Sequence, residues 1–144
     1  MRIVLQRVAN AKVEVNGETT GEIGTGYLVL IGIGEGDTKQ DADRLAAKIR
    51  NLRIFSDEND KINLSLADVD GSLLVVSQFT LYADCRKGNR PNFTQAAKPD
   101  QAEMLYNYFV DVCRQNIKNV QCGVFGADMK VTLTNDGPFT VVLE

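Results

Sequence analysis

The stretch Leu73-Leu74-Val75-Val76-Ser77-Gln78-Phe79-Thr80-Leu81 changes from apolar to polar character at Ser77. Its leading apolar residues predict a buried strand, which we expect to extend over residues 72–81. Polar side chains that follow such a run are costly to bury without partners. Because the fold gives no reason for them, we interpret Ser77, Gln78 and Thr80 as part of a functional site near the end of this strand.

Further strands are predicted on both sides of this stretch. Alternating or continuous apolar runs predict them at 2–8, 11–15, 27–31, 61–66, 119–125, 128–134 and 139–143. The pairs Asn16-Gly17 and Asp70-Gly71 are typical of tight turns between such strands. Together with 72–81, these runs indicate a chain of seven or eight strands.

Two amphipathic helices are predicted between the strands. The first covers residues 39–51. Thr38 and Asp41 at its start resemble a capping box, with Asp in place of the usual Glu or Gln. The second covers residues 99–117 and begins at Pro99. Their inward-facing positions are predicted to be Ala42, Leu45, Ala46, Ile49 and Leu52 in the first, and Ala102, Leu105, Tyr106, Phe109, Cys113 and Ile117 in the second.

The order of these elements indicates an α+β fold, because strands and helices do not alternate strictly. We expect a largely antiparallel curved sheet, or an open β-barrel, with the two main helices packed on it. Since the chain has 144 residues and neither a linker nor an internal repeat, residues 1–144 are predicted to form a single domain.

The charge balance disfavours several classes of protein. The net charge is −3 and the isoelectric point is near 5.0, so the chain lacks the overall basic character of duplex-binding proteins. A small local patch could still bind the end of an RNA. The apolar runs are too short for a membrane span, and the N-terminal segment does not resemble a signal peptide. A cytoplasmic location is expected.

The chain contains no histidine, which restricts its chemistry. Catalysis would have to use hydroxyl groups, backbone dipoles or the substrate itself. Cys85, Cys113 and Cys122 form no CxxC pair and have no histidine to join them, so no metal site and no cofactor are predicted. We interpret all three as reduced thiols, with Cys113 in the core.

Thr80 has three possible roles. As a nucleophile it would need an adjacent base, and the spacing of the sequence nominates none. Its hydroxyl could instead satisfy neighbouring backbone groups within a strand. In the third interpretation, backbone N–H groups of the 77–81 segment stabilise negative charge that develops on a substrate carbonyl.

A second polar segment, Asn135-Asp136-Gly137-Pro138-Phe139-Thr140, separates the last two predicted strands. It is either a tight turn or a rigid peptide that presents carbonyl oxygens to a ligand. Arg7 shares a face with Ile3 and Leu5 of the first strand, so it should point toward the interior or an interface. It either extends to water or holds a backbone carbonyl or carboxylate, and the pattern does not distinguish these.

These two segments resemble the motifs of the D-aminoacyl-tRNA deacylases, also called D-tyrosyl-tRNA deacylases. Ser77-Gln78-Phe79-Thr80-Leu81 matches the SQFTL motif, and the 135–140 segment is similar to N-x-G-P-V-T, with Phe139 in place of Val. The similarity covers essentially the whole chain. It extends through Gln6-Arg7-Val8, Arg53-Ile54-Phe55-Ser56-Asp57, Lys87-Gly88-Asn89-Arg90-Pro91-Asn92-Phe93 and Phe125-Gly126-Ala127-Asp128-Met129.

The resemblance implies a homodimeric, metal-independent esterase of translation quality control, with its active site at the subunit interface. It would bind the acceptor end of an aminoacyl-tRNA and hydrolyse the ester of D-aminoacyl-tRNA, with glycyl-tRNA as an achiral substrate. The alternatives are a small-ligand-binding oligomer without activity and a threonine-dependent esterase acting on a non-RNA substrate. One assay on charged tRNA separates all three.

The resemblance also assigns roles to individual residues. Ser77, Gln78, Phe79 and Thr80 would line the catalytic pocket, with chemistry assisted by the terminal ribose hydroxyl of the RNA. Gly137-Pro138 would be a cis peptide that reaches into the partner's site and tests handedness. The other predicted substrate-binding residues are Arg7, which would hold that peptide, Phe139 and Met129. The tRNA-binding residues are predicted to be Arg86, Lys87 and Arg90 in the long 83–98 loop, with Lys98 as a further candidate.

Overall fold

The computed structural model describes residues 1–144 as eight strands and two helices. The elements are β1 (Arg2–Val15), β2 (Glu18–Ile23), β3 (Gly26–Gly32), α1 (Lys39–Asn51), β4 (Arg53–Ser56), β5 (Ile62–Ser65), β6 (Ser72–Ser77), a 3₁₀ turn (Phe79–Tyr82), α2 (Pro99–Asn116), β7 (Val120–Cys122) and β8 (Lys130–Leu143). Both helices pack on a sheet that is nearly closed like a barrel. The predicted α+β fold is therefore confirmed.

The sheet is organised around β1, which pairs antiparallel with β2, β3 and β8. Beyond β3 the order continues with β6 and β7, and these two pairings are parallel. The outer strands β2 and β7 approach closely, since a Cβ on Gly21 would lie 3.0 Å from the carbonyl oxygen of Cys122. Only a glycine lets these two backbones come so near, and their contact nearly closes the sheet.

The two faces of the sheet enclose two apolar clusters. On one face, Tyr27, Val29 and Ile31 pack beneath the helices. On the other face, Leu28 joins a smaller cluster inside the barrel, together with Val8, Ala11, Val13, Ile23, Leu74 and Val76. This alternation follows from the two-residue period of a strand.

Both predicted helices are confirmed. Helix α1 has the predicted limits, and the carboxylate of Asp41 accepts a hydrogen bond of 2.9 Å from the backbone N–H of Thr38. Helix α2 begins at Pro99 and ends one residue before the predicted limit. Cys113 is buried in the core as expected, and burial raises the pKa of its thiol to about 12. Neither helix has the length and apolarity needed to cross a membrane.

Several strand predictions are wrong: β2 and β4 have no predicted counterpart, and the strand predicted at 119–125 covers only Val120–Cys122. The strand predicted at 72–81 ends at Ser77, because its neighbour β3 ends at Gly32 and offers no further pairing. The segments 2–8 and 11–15 form one strand. Likewise, 128–134 and 139–143 are joined into the single strand β8, which pairs along β1 on both sides of an interruption.

Candidate active site

A cleft of about 700 Å³ opens where β6 gives way to the 3₁₀ turn. Its walls come from the ends of β3 and β6, the loop before α2, the first turn of α2, and the segment that leads into β8. The lining residues are Ile31, Ile33, Val76, Ser77, Gln78, Phe79, Phe93, Ala96, Ala97, Lys98, Pro99, Ala102, Phe125, Gly126, Ala127, Asp128, Met129 and Val131. A mostly apolar cleft of this size with a few polar groups is typical of a small-ligand site.

The 3₁₀ turn is fixed to the sheet from both sides. The backbone N–H of Gln78 donates to the carbonyl oxygen of Ile31 at 2.8 Å, which extends the ladder by one bond. From β1, the Nη1 atom of Arg2 donates to the carbonyl oxygen of Leu81 at 2.7 Å. The same guanidinium lies 4.9 Å from the ring centre of Tyr82. The turn is therefore held rigidly beside the cleft.

The start of this turn supplies backbone donors. Its hydrogen bonds run from the N–H of Leu81 to Gln78, at 3.2 Å, and from that of Ala83 to Thr80, at 3.0 Å. The N–H groups of Phe79 and Thr80 precede the first donor of the turn, which is the N–H of Leu81, so they have no partner within it. Donors in a fixed array of this kind can stabilise charge on a carbonyl oxygen.

Two exposed aromatic rings mark the mouth of the cleft. Phe79 is 57% exposed and Phe93 is 38% exposed. Their ring centres lie 5.1 Å apart at an interplanar angle of 60°. Exposed rings provide flat apolar surfaces on which a nucleobase can stack. Phe93 was not among the predicted site residues, although an aromatic residue in a polar loop can indicate a ligand-binding position.

Thr80 lies on the exposed side of the turn and does not line the cleft. Its hydroxyl oxygen accepts a hydrogen bond from the side-chain amide of Gln78, and no carboxylate or lysine is bonded to it. Burial, followed by the carboxylate of Asp37, raises the pKa of the nearby Tyr82 to about 12. Tyr82 is therefore not available as a base at neutral pH.

The second polar segment is a bulge within one strand, so the first of its two interpretations, a tight turn between two strands, is wrong. In the pairing of β1 with β8, Gln6 lies opposite Thr140 and Val8 lies opposite Asn135. Residues 136–139, hereafter the bulge, are therefore looped out opposite Arg7. Asn135 closes its base, since its Oδ1 accepts the N–H of Phe139 at 2.7 Å and its Nδ2 donates to Thr140 Oγ1 at 3.2 Å. The Gly137–Pro138 peptide bond is cis.

Arg7 is buried beneath this bulge, with only 9% of its surface exposed. Its Nε donates to the carbonyl oxygen of Asp136 at 2.9 Å, and its Nη1 donates to that of Ile54 at 2.7 Å. The ring centre of Phe139 lies 4.8 Å from the guanidinium carbon. Arg7 therefore does not extend to water. Its planar donors hold two backbone carbonyl groups, which is the second of its two interpretations.

Eight of the nine predicted catalytic and substrate-binding residues fall into two separate groups, and Thr80 belongs to neither. Ser77, Gln78, Phe79 and Met129 line the cleft. The other group consists of Arg7, Gly137, Pro138 and Phe139, and none of these residues lines it. One chain therefore carries a cleft and, outside the lining of that cleft, an exposed bulge held by Arg7 and Asn135.

The predicted tRNA-binding loop is less basic than its sequence indicates. The guanidinium of Arg86 donates to the carboxylate of Asp84 at 2.6 and 2.9 Å, and these bonds hold the pKa of that carboxyl at about 2. Lys87 and Arg90 are exposed and form no ion pair, but they do not line the cleft. Lys98 does line it. No group of three potential metal-ligating side chains occurs in the chain.

Similarity to known proteins covers the whole chain. A D-aminoacyl-tRNA deacylase of Thermosipho africanus is 58% identical over 144 residues, which span 100% of this chain and 97% of the relative. A D-aminoacyl-tRNA deacylase of Clostridium acetobutylicum is 55% identical with the same coverage.

Solved structures show the same fold. The structure of a c-Myc DNA Unwinding Element Binding Protein superposes with a TM-score of 0.95 at 43% identity, covering 100% of this chain and 98% of the other. That of a probable eukaryotic D-amino acid tRNA deacylase gives a TM-score of 0.84 at 20% identity, covering 99% and 97%, and shows only the shared fold. The sequence of residues 4–144 matches the family described as D-Tyr-tRNA(Tyr) deacylase, and with relatives this similar the chain belongs to that family.

Proposed function

We propose that this hydrolase cleaves the ester bond of D-aminoacyl-tRNA, releasing the D-amino acid and free tRNA in the cytoplasm. Glycyl-tRNA, which has no side chain to test, is a second substrate. The observation that carries the proposal is the cleft beside the 3₁₀ turn. It combines exposed aromatic rings with unpartnered backbone donors, which suits a nucleoside ester. The D-aminoacyl-tRNA deacylases of similar sequence support the choice of substrate.

In this mechanism the RNA supplies the reactive hydroxyl group. The terminal adenine stacks on Phe79 and Phe93, and the ester carbonyl oxygen accepts hydrogen bonds from the N–H groups of the turn. The free hydroxyl of the terminal ribose orients a water molecule, which adds to the carbonyl carbon. The bond from that carbon to the ribose oxygen then breaks, and the ribose oxygen takes up the proton. No histidine is needed for any of these steps.

We further propose a homodimer in which the bulge of each subunit enters the cleft of its partner. The carbonyl oxygens of Gly137 and Pro138 accept hydrogen bonds from the α-amino group of the substrate, and an L side chain would clash with this peptide. The separation of bulge and cleft within one chain supports this arrangement, since neither group can complete the site alone.

The role of the ribose can be tested with a Thr80→Ala variant and a modified RNA. We expect Thr80→Ala to retain most of its turnover of D-tyrosyl-tRNA, because the hydroxyl of Thr80 has no base. Removal of the free hydroxyl of the terminal ribose is expected to lower the rate at least ~100-fold, as the loss of a positioned catalytic group does. Single-turnover rates with both substrates measure this. If Thr80→Ala abolished turnover while tRNA still bound, Thr80 would be the nucleophile.

Chiral selection can be tested on the wild type and on Phe139→Val. The ring of Phe139 packs on Arg7 and against the core beneath the helices, so we expect it not to contact the substrate. Both proteins should therefore hydrolyse D-tyrosyl-tRNA far faster than L-tyrosyl-tRNA. The variant should lose about 1 kcal/mol of unfolding free energy through the lost ring contact. Comparable rates on the two substrates would refute chiral selection, and a variant that alone accepts the L form would place Phe139 in the selector.

A further inference from the structure

A shallow basic groove lies on the outer side of α1, away from the cleft. It is formed by Arg44, Ala47, Lys48, Asn51, Leu52 and Arg53 and has a volume of about 380 Å³. Arg44 and Lys48 are one helical turn apart, so their side chains project from the same face of α1. Arg53 follows directly after the helix and completes the groove.

The positive charge of this groove is compensated only in part, by Asp41 beside Arg44 and by Asp68, which lies near enough to Arg53 to interact with its charge. Neither Lys48 nor Arg53 forms an ion pair, and no carboxylate lines the groove. Arg53 instead donates to Asn63, including a bond of 2.8 Å to its carbonyl oxygen. Arg44 is paired only loosely, with Asp41 at 3.6 Å. The groove is thus a positively charged area on a protein whose net charge is −3.

The rim of the groove lies close to the bulge. Arg53 precedes Ile54, whose carbonyl oxygen accepts a hydrogen bond of 2.7 Å from Arg7. The same arginine binds the carbonyl oxygen of Asp136 in the bulge at 2.9 Å. Directly after β8, the main-chain oxygen of Glu144 accepts a hydrogen bond from Arg44 at 3.1 Å. A single buried arginine thus connects the rim of the groove to the bulge.

We propose that this basic groove binds backbone phosphates of the tRNA whose 3′ end occupies the partner subunit's cleft. The inference rests on the proposed function, because the bulge that enters the partner's cleft brings the groove toward the RNA bound there. Lys48 and Arg53 neutralise the phosphates, and the side-chain amide of Asn51 is within the same groove. Each tRNA is then held by both subunits.

Stabilisation of the helix dipole does not account for the groove. Lys48 and Arg50 lie in the last turn of α1, where a positive charge offsets the partial negative charge of the helix end. Arg53 lies outside the helix, and Arg44 lies more than one turn before its end. Neither residue is therefore placed to offset the charge at the helix end. Phosphate binding accounts for all three lining cations, because they border one concave surface.

The experiment compares a whole substrate with a fragment. Hydrolysis of D-tyrosyl-tRNA and of 3′-O-D-tyrosyladenosine is measured for the wild type and for Lys48→Gln/Arg53→Gln. Loss of two phosphate contacts should lower kcat/KM on the tRNA about 30-fold, mainly through KM, and reduce the slope of log KM against log salt by roughly 2. The fragment cannot reach the groove, so its kcat/KM should not change.

Controls separate the groove from general effects of charge and folding. The variant Lys12→Gln/Lys118→Gln removes the same charge from residues that already pair with Glu14 and Asp70, and it should behave like the wild type. Lys48→Glu alone, at an exposed helix position, repeats the test without disturbing Arg53. Unchanged kcat/KM on tRNA in both groove variants would overturn the inference. A wild type that hydrolyses neither substrate would instead overturn the proposed function.

Discussion

Replacing Arg7 by methionine is expected to reduce both the activity and the stability of the protein strongly. The carbonyl oxygens of Asp136 and Ile54 would lose their donors. Leaving these acceptors unpaired, of which the oxygen of Ile54 is buried and that of Asp136 is partly buried, should lower the free energy of unfolding by about 2–4 kcal/mol. The bulge would also lose the group that fixes its position. A misplacement of about 1 Å in an active site costs about 100-fold in kcat/KM.

Chemical denaturation and the deacylation of D-tyrosyl-tRNA measure the two effects separately. Arg114→Met is a suitable control, because Arg114 also donates to a backbone carbonyl, that of Val120 at 3.4 Å, but is exposed. The control should change the free energy of unfolding by less than about 1 kcal/mol. If Arg7→Met were destabilised but equally active and equally selective, the position of the bulge would not depend on Arg7.

Gly137→Ala is expected to abolish most activity while leaving the fold intact. Gly137 has a φ of +153°, and a Cβ there would lie 2.5 Å from the backbone nitrogen of Phe139. The exposed bulge can relieve this contact only by moving, which changes where its carbonyl oxygens point. We expect kcat/KM on D-tyrosyl-tRNA to fall at least ~100-fold, and the free energy of unfolding to fall by only about 1–3 kcal/mol.

Gly17→Ala is the matched control for this substitution. Gly17 has a φ of +80° in the turn after β1, and a Cβ there would meet no neighbouring atom within 4 Å. It should lose similar stability and retain activity. A mixture of Gly137→Ala and Phe79→Ala subunits should regain about a quarter of the sites, because about half of the dimers are mixed and each mixed dimer carries one intact cleft opposite one intact bulge. No recovery on mixing would contradict a site shared between subunits.

The elements that depend on local sequence were predictable. Helix α1 has its predicted limits because its apolar period and its start signal at Thr38 are properties of consecutive residues. Helix α2 likewise begins at the proline that favours a first helical turn. The burial of Cys113 followed from the same period.

Features that depend on a neighbouring strand were not predictable from local pattern. The end of β6 at Ser77 is set by the end of β3, which lies far away in sequence. The bulge in β8 has the composition of a tight turn, and only its register against β1 shows that the strand continues. The ion pair of Arg86 with Asp84 depends on a loop conformation that charge counting does not reveal.

Pairing of the first strand with the last has a consequence for the timing of activity. Strands β1 and β8 pair from Ile3 with Leu143 to Glu14 with Lys130, so the bulge can form only after all the intervening elements have been synthesised. Contacts of such long sequence separation form late in folding. A chain still growing on the ribosome, itself joined to tRNA by an ester bond, therefore lacks the part that would make it an esterase.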